Sequence, residues 1–371
     1  MPFLISPKIV DYKTLNDFIA EAKVGEGDLI VTNEYILVPK LGGAPVPCDV
    51  IYQEKYGGAV EPTDEMIDTI LAEAKAKGKN YKRVIAIGGG AVIDIAKLLA
   101  CDGESTQEKF DKGPDLTRSR KLLVIPTTCG AGSEVTNIAV VGFKKKGTKM
   151  GLATPALFAD EAVLIPDMLS ALPYKVFATS SVDAMIHSVE SMITPLATPF
   201  SKAMAKASIE MIVRGYMDLV KSGGAGKLPK DMAPFLSAST MGGIAFGNGG
   251  VACVHALAYP IGNDYGLAHG EANYCAFKPV FDVYKKYGVD LSELEAVIAG
   301  ALGCAPAKAW DELFALIDQV LPRPSLAALG CDEAKCREMA QNVIANQQRL
   351  LGRSPLPATE DLIFEMFKAC L

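Results

Sequence analysis

The stretch "RVIAIGGGAVIDIAKLLA", residues 83–100, runs an apolar, β-branched segment directly into Gly88, Gly89 and Gly90 and then into a helical pattern. Three glycines let backbone approach a ligand closely, and the free N–H groups at the start of the following helix favour an anion. A phosphate is the ligand this predicts. The run is not G-x-G-x-x-G, and taken alone it describes a tight strand-to-helix turn equally well. Asp94 and Lys97 follow one turn into the helix, where an acid also suits the positive helix start without any ligand.

Working outward, "DLIVTN" (28–33), "CDVIYQE" (48–54), "KLLVIPTT" (121–128) and "EAVLIP" (161–166) read as further strands. "TDEMIDTILAEAKAKG" (63–78) reads as a helix between two of them, with Thr63 as N-cap, Met66, Ile67, Ile70, Leu71 and Ala74 at helical spacing, and Gly78 as the stop. Strand, helix, strand predicts a parallel sheet. A second glycine-rich loop, "PTTCGAGSEVTN" (126–137), also follows a strand and offers the hydroxyls of Thr127, Thr128 and Ser133. Ligands collect at the carboxyl ends of parallel strands, so the two loops together predict a nucleotide site.

After Leu172 the pattern changes. "SSVDAMIHSVESMI" (180–193), "SKAMAKASIEMIVRGYMDLV" (201–220), "PAKAWDELFALIDQVL" (306–321) and "DEAKCREMAQNVIANQQRLL" (332–351) are helical in period, and no stretch reads as a strand. We therefore expect an α/β dinucleotide-binding domain over 1–172 and an all-helical domain, binding metal and substrate, over 173–371.

The 371 residues are enough for two cores, and a charge of −6 with scattered Lys and Arg, apart from Lys144, Lys145 and Lys146, argues against nucleic acid. Nine cysteines without a C-x-x-C pair predict neither a disulfide framework nor a zinc knuckle. With no basic-then-apolar leader and no run of eighteen apolar residues, the expected setting is cytoplasmic, without a membrane partner.

Only three histidines are present, His187, His255 and His269. Asp183 and His187 lie four apart on a predicted helix and share a face, beside an apolar stripe of Val182, Met185, Ile186, Val189, Met192 and Ile193. If His255 and His269 face them, one carboxylate and three imidazoles form an O,N,N,N set suited to a divalent transition metal with open positions. Hydrogen-bonded core histidines are the alternative, since spacing does not show that these residues converge. Glu190, seven residues after Asp183, shares the face and is a candidate for orienting an imidazole, as metal-bound histidines require.

These residues carry a resemblance. "GGGAVIDIAK" resembles the GGGSxxDxAK block of the iron-containing (group III) alcohol dehydrogenase family, and "PTTCGAGSEVT" its PTTxGTGSEVT block. "SSVDAMIH", "VHALAYPIG" and "HGEAN" resemble its DAxxH, HAxAHPxG and HGxxN blocks, in order and nearly end to end. The resemblance implies a dehydroquinate synthase-like architecture with the site in the cleft between two domains. It implies metal ligands Asp183, His187, His255 and His269, with ferrous iron the expected ion and zinc possible. It implies NAD as cofactor, contacted by Gly88, Gly89, Gly90, Asp94, Lys97, Thr127, Thr128 and Lys149, and by Asn33 where NAD-using members often carry Asp.

"SSVDAMIHSVE", "GIAFGNGGVACVHALAYPIG", "AHGEANY" and "QQRLL" most resemble members acting on 4-hydroxybutyrate and succinate semialdehyde. The expected reaction is hydride transfer between that pair and NAD(H), with a propanediol- or butanol-type alcohol as the alternative. A metal- and NAD-dependent lyase of the same architecture is a further one, but the basic cluster a phosphorylated substrate wants is missing near the metal blocks. A small-molecule alcohol or aldehyde is the expected partner, and the chain is expected to form a homo-oligomer, a dimer. Three positions depart from the pattern: Ala91 and Ala131 lack the usual Ser and Thr hydroxyls, and Tyr259 replaces a histidine often assigned to proton relay. Tyr259 is the candidate catalytic residue, with a packing tyrosine as the alternative.

Overall fold

A parallel sheet forms where the apolar runs predict it. The computed structural model describes residues 3–57, 62–224 and 226–371, and the chain divides into two units, Ile5–Leu172 and Pro173–Leu371, with Leu4 joined to the latter through Asn248.

In the first unit the strands are β1 (Lys8–Asp11), β2 (Asp28–Thr32), β3 (Asp49–Tyr52), β4 (Arg83–Gly88), β5 (Lys121–Pro126), β6 (Ile138–Phe143), β7 (Thr148–Ala153) and β8 (Glu161–Leu164). Six of them form one all-parallel sheet in the order β1-β8-β5-β4-β2-β3. The helices are α1 (Leu15–Glu21), α2 (Glu34–Leu41), α3 (Asp64–Ala76), α4 (Gly90–Ala100) and α5 (Thr106–Lys112). β2, β4 and β5 are buried almost throughout, which is why they read as unbroken apolar runs. From β2 the chain moves one way to β3, and from β4 it moves the other way to β5 and β8. The direction reverses between β2 and β4, which opens a crevice at their carboxyl ends.

α3 follows its sequence cues. Thr63 accepts from the Met66 N–H as N-cap, and Met66, Ile67 and Ile70 are buried in the core cluster. Two features go beyond the strand–helix alternation. β1 is an edge strand with mostly exposed residues, so it carries no apolar signature. β6 and β7 form a separate antiparallel pair, turned by the lysine run 144–146 and buried on one face through Ala139, Val141 and Phe143.

The second unit is helical, and no strand occurs among its described residues. It comprises α6 (Tyr174–Ile193), α7 (Pro199–Lys221), α8 (Ala233–Gly249), α9 (Cys253–Tyr265), α10 (His269–Lys286), α11 (Ser292–Leu302), α12 (Ala309–Val320), α13 (Glu333–Asn346), α14 (Gln348–Leu351) and α15 (Glu360–Lys368). The stretch 332–351 is not one helix: Gln347 leaves the helical region at φ −114° and ψ 29° and opens α14. α6 is buried nearly along its whole length and packs against α7, α8 and α10, which makes it the core of this unit. α8 and α9 meet at 109° through Gly250, whose φ of 84° only glycine adopts readily. A Cβ on Gly270 would fall 2.0 Å from the Thr179 carbonyl oxygen, so glycine is what lets the start of α10 lie against the α6 backbone. Among the described residues no single helix is long and apolar enough to cross a membrane.

Candidate metal centre and dinucleotide loops

The helical unit brings together all three histidines of the chain. Asp183 and His187 project from one face of α6, His255 comes from α9 and His269 is the first residue of α10. His187 Nδ1 lies 3.8 Å from Asp183 Oδ2, and His255 Nε2 and His269 Nε2 each lie 3.8 Å from Asp183 Oδ1. The His187 ring stacks at 4.5 Å on His255 and at 4.2 Å on Phe246 of α8. Asp183, His187 and His255 are buried and His269 is half-buried.

Burial by itself pushes the Asp183 carboxyl upward. The three imidazoles around it, with the Asn273 amide, outweigh that and hold it below the usual carboxylate range. Among the described residues, His255 Nε2 and Asn273 Oδ1 are buried without a hydrogen-bond partner, an arrangement costly unless something occupies the space they face. One candidate ligand atom from each of Asp183, His255 and His269 lies within 4.8 Å of the others. Two donors on one ion at about 2.1 Å each are at most about 4.2 Å apart, so these three residues need close by only about half an ångström, whereas His187 lies beside them outside that group. The oxygen and imidazole donors fit a divalent first-row metal.

The supporting residues fix the imidazoles. Glu190, fully buried on α6, accepts from His255 Nδ1 at 2.6 Å and from the Val254 N–H at 2.8 Å. That bond leaves Nε2 of His255 as the ring's inward atom. The helical spacing named the face that Glu190 shares, and the imidazole it holds comes from another helix. Asn273 Nδ2 donates to Asp183 Oδ1 at 2.7 Å and lies 3.2 Å from His269 Nε2. Residue type and spacing assign no role to Asn273 or Phe246, although both stand in stretches that carry the family resemblance. For Asn273 a signal existed, since it stands four residues after His269 on one helix.

Tyr259 lies one turn after His255 on α9, half-buried, with its ring 6.1 Å from that of His269. Lys278, the cation nearest the metal block in sequence, is engaged with Asp282 at 2.6 Å and lies over the Phe314 ring.

In the α/β unit the glycine run ends β4, with Gly89 as N-cap and Gly90 opening α4. A Cβ on Gly89 would meet Thr128 at 3.3 Å, and one on Gly90 would meet Ala131 at 3.2 Å, so the second loop packs directly on the first. The Thr127 N–H donates to the Gly88 carbonyl at 3.0 Å. The observed partners of Asp94 and Lys97 are protein groups. Asp94 accepts from the Ser133 hydroxyl at 2.7 Å and the Val140 N–H at 2.9 Å. Lys97, fully buried, donates to Ser133 Oγ at 2.8 Å, Thr136 Oγ1 at 3.2 Å and the Ile138 carbonyl at 2.6 Å. Burial moves both toward neutrality, Asp94 upward and Lys97 downward, against their mutual attraction at 3.7 Å. The pair clamps the second loop to α4.

Asn33 is buried at the end of β2, where its amide donates to Gln53 Oε1 and Glu54 Oε2, each at 2.9 Å. Lys149 stands on β7 opposite Gly142, in the two-stranded sheet.

The sequence model of iron-containing alcohol dehydrogenases matches residues 13–166, and that of the C-terminal region of the Fe-containing alcohol dehydrogenase family matches residues 177–371. The chain is 40% identical to 4-hydroxybutyrate dehydrogenase of Clostridium kluyveri, over 98% of each chain. It is 32% identical to long-chain-alcohol dehydrogenase 1 of Geobacillus thermodenitrificans, over 97% of this chain and 94% of that one. The iron-containing alcohol dehydrogenase of Thermococcus thioreducens superposes with a TM-score of 0.81 at 25% identity, covering 99% of both. Sulfoacetaldehyde reductase of Bifidobacterium kashiwanohense, solved with NAD+, superposes at 0.84 over 99% and 97%, and at 18% identity it speaks to the fold alone.

Two expectations follow from these contacts. Glu190→Gln weakens metal binding about 10- to 100-fold, read by chelator competition on the folded protein, because the imidazole loses its anionic partner; unchanged affinity would leave Glu190 a packing residue. Lys97→Met leaves Asp94 buried without its cation and costs about 3 kcal/mol, read as a lower urea midpoint. An unchanged midpoint would mean that the hydroxyls and the Val140 N–H alone hold the loop.

Proposed function

From the premise that this chain belongs to the iron-containing alcohol dehydrogenase family, oxidoreductases acting on CH–OH groups, we propose that it interconverts 4-hydroxybutyrate and succinate semialdehyde with NAD(H). The observation that carries the reading is the cluster of Asp183, His187, His255 and His269, buried except at His269, with Glu190 behind it. Likeness over 98% of both chains to a 4-hydroxybutyrate dehydrogenase supports the substrate pair.

When bound, a divalent metal in that cage supplies Lewis-acid polarisation and a nicotinamide dinucleotide the hydride exchange. Ferrous iron is the ion we propose, with zinc as its competitor where availability favours it. Asp183 contributes the anionic donor, and the imidazoles contribute neutral ones whose orientation Glu190 and Asn273 fix. In the α/β unit the N–H groups at the start of α4 hold the pyrophosphate, with Thr127, Thr128 and Lys149 as further contacts. Asp94 and Lys97 serve that site by keeping the second loop against the first.

Oxidation removes a hydride from the carbinol carbon and a proton from its oxygen. Tyr259 is the residue we assign to the proton: its hydroxyl accepts it on a lone pair and releases its own to solvent water, which the half-buried side chain reaches.

Anaerobically purified, metal-loaded protein is expected to reduce succinate semialdehyde with a kcat/KM well above those for butanal and 3-hydroxypropanal. Preference for the uncharged aldehydes would overturn the substrate and leave the family untouched. Tyr259→Phe is expected to lower kcat about a hundredfold and alter its pH profile with little change in KM. Wild-type rate and profile in that variant would return Tyr259 to a packing role.

A further inference from the structure

Three parallel strands end side by side at the crevice where the sheet order reverses. The register pairs Thr32 with Ile87 and with Tyr52, so Asn33 follows on β2 between Gly88 of β4 and Gln53 after β3. Neighbouring strands are about 4.8 Å apart, so Asn33 is one strand from the glycine turn and Gln53 two. In doubly wound sheets the carboxylate that accepts the ribose hydroxyls of a dinucleotide stands at the end of the strand beside the glycine strand. That position is Asn33 here, a neutral amide.

The carboxylate is nevertheless present. Glu54 reaches back from the turn after β3, so that its Oε2 accepts from Asn33 Nδ2 at 2.9 Å and its Oε1 from the Glu34 N–H at 2.7 Å. Both carboxylate oxygens are thereby fixed at the start of α2, and each keeps a lone pair. Glu54 is half-exposed, so its side chain stays within reach of a ligand. Glu34, exposed at the first position of α2, adds a second negative charge. The hydroxyls of Tyr35 and Tyr52 sit in this field, both pushed up by burial and then by the neighbouring carboxylates. The adjacent cation, Lys55, lies over the Tyr52 ring at 4.7 Å.

We propose that Glu54, moored by Asn33, is the cofactor-selecting residue of this protein: its carboxylate accepts the adenosine ribose hydroxyls of NAD(H) and repels the 2′-phosphate of NADP(H). Asn33 is then a positioning residue, and a one-strand displacement has replaced an acid on β2 with an acid carried over from β3. The inference rests on the dinucleotide reading of the glycine turn.

The test is direct binding of NADH and NADPH to metal-loaded protein, read by nicotinamide fluorescence, with thermal midpoints alongside. Wild type is expected to bind NADH at least tenfold more tightly than NADPH. Glu54→Gln is expected to remove most of that preference, and the double variant Glu54→Gln with Asn33→Asp to restore it by returning a carboxylate to β2. An unchanged NADH:NADPH ratio in Glu54→Gln overturns the proposal. So does an equal weakening of both nucleotides with a lower thermal midpoint, which would make Glu54 only the cap of α2. A wild type that prefers NADPH also overturns it, whereas a wild type that binds neither nucleotide overturns the dinucleotide reading underneath it.

Discussion

A carboxylate buried beside three imidazoles, 3.8 Å from a nitrogen of each, is the constraint around which the helical unit is arranged. Charge in an apolar interior is tolerated only when paired and hydrogen-bonded, so α6, α9 and α10 must keep their registers for Asp183 to be buried at all. Gly270 enforces that closeness, because any side chain there would strike the α6 backbone. Glu190 enforces orientation, since it grips both His255 Nδ1 and the N–H of the preceding residue. The helix core and the candidate site are therefore one structure. A change that loosens α6 against α10 disturbs both.

The α/β unit solves a different problem with the same economy of buried charge. Its glycine turn has to stay open at the carboxyl ends of β2 and β4, yet the second loop must lie directly upon it. Lys97 supplies the fastening by giving three donors to the segment 133–138 from below. At Ala91 and Ala131 the family's hydroxyls are missing. Ala131 stands where even a single added carbon on Gly90 would already press, which suits small side chains at this contact. More of the donation to any phosphate held there then falls to backbone N–H groups.

Much of this was legible from residue type and spacing. The parallel strands β2, β3, β4, β5 and β8 follow from short apolar runs, and the capped helix α3, the helical second half and the shared face of Asp183, His187 and Glu190 from a period of 3.6. What escaped has physical reasons. β1 is exposed and owes its existence to pairing with β8 rather than to its own apolar content. The β6–β7 pair is turned by three lysines, which in sequence read only as a basic run. Phe246 earns its place by stacking on an imidazole from another helix, a contact that no local pattern encodes. Asn33 read as the loss of an acid, because its partner Glu54 is twenty-one residues away in sequence and adjacent only once β2 and β3 pair.

Formal charge adds one more constraint on what the helical unit can hold. The cage and its support bring two carboxylates, Asp183 and Glu190, together with three imidazoles that are neutral when they act as ligands. A divalent ion brings the sum to zero, whereas a trivalent ion leaves one unbalanced positive charge and a monovalent ion one negative. In a site where Asp183, His187, His255 and Glu190 are all buried, an unbalanced charge carries a desolvation penalty of several kcal/mol, so burial and the charge count together suit a divalent ion. Glu190 enters that sum as much as Asp183 does, although it faces the far side of the His255 ring.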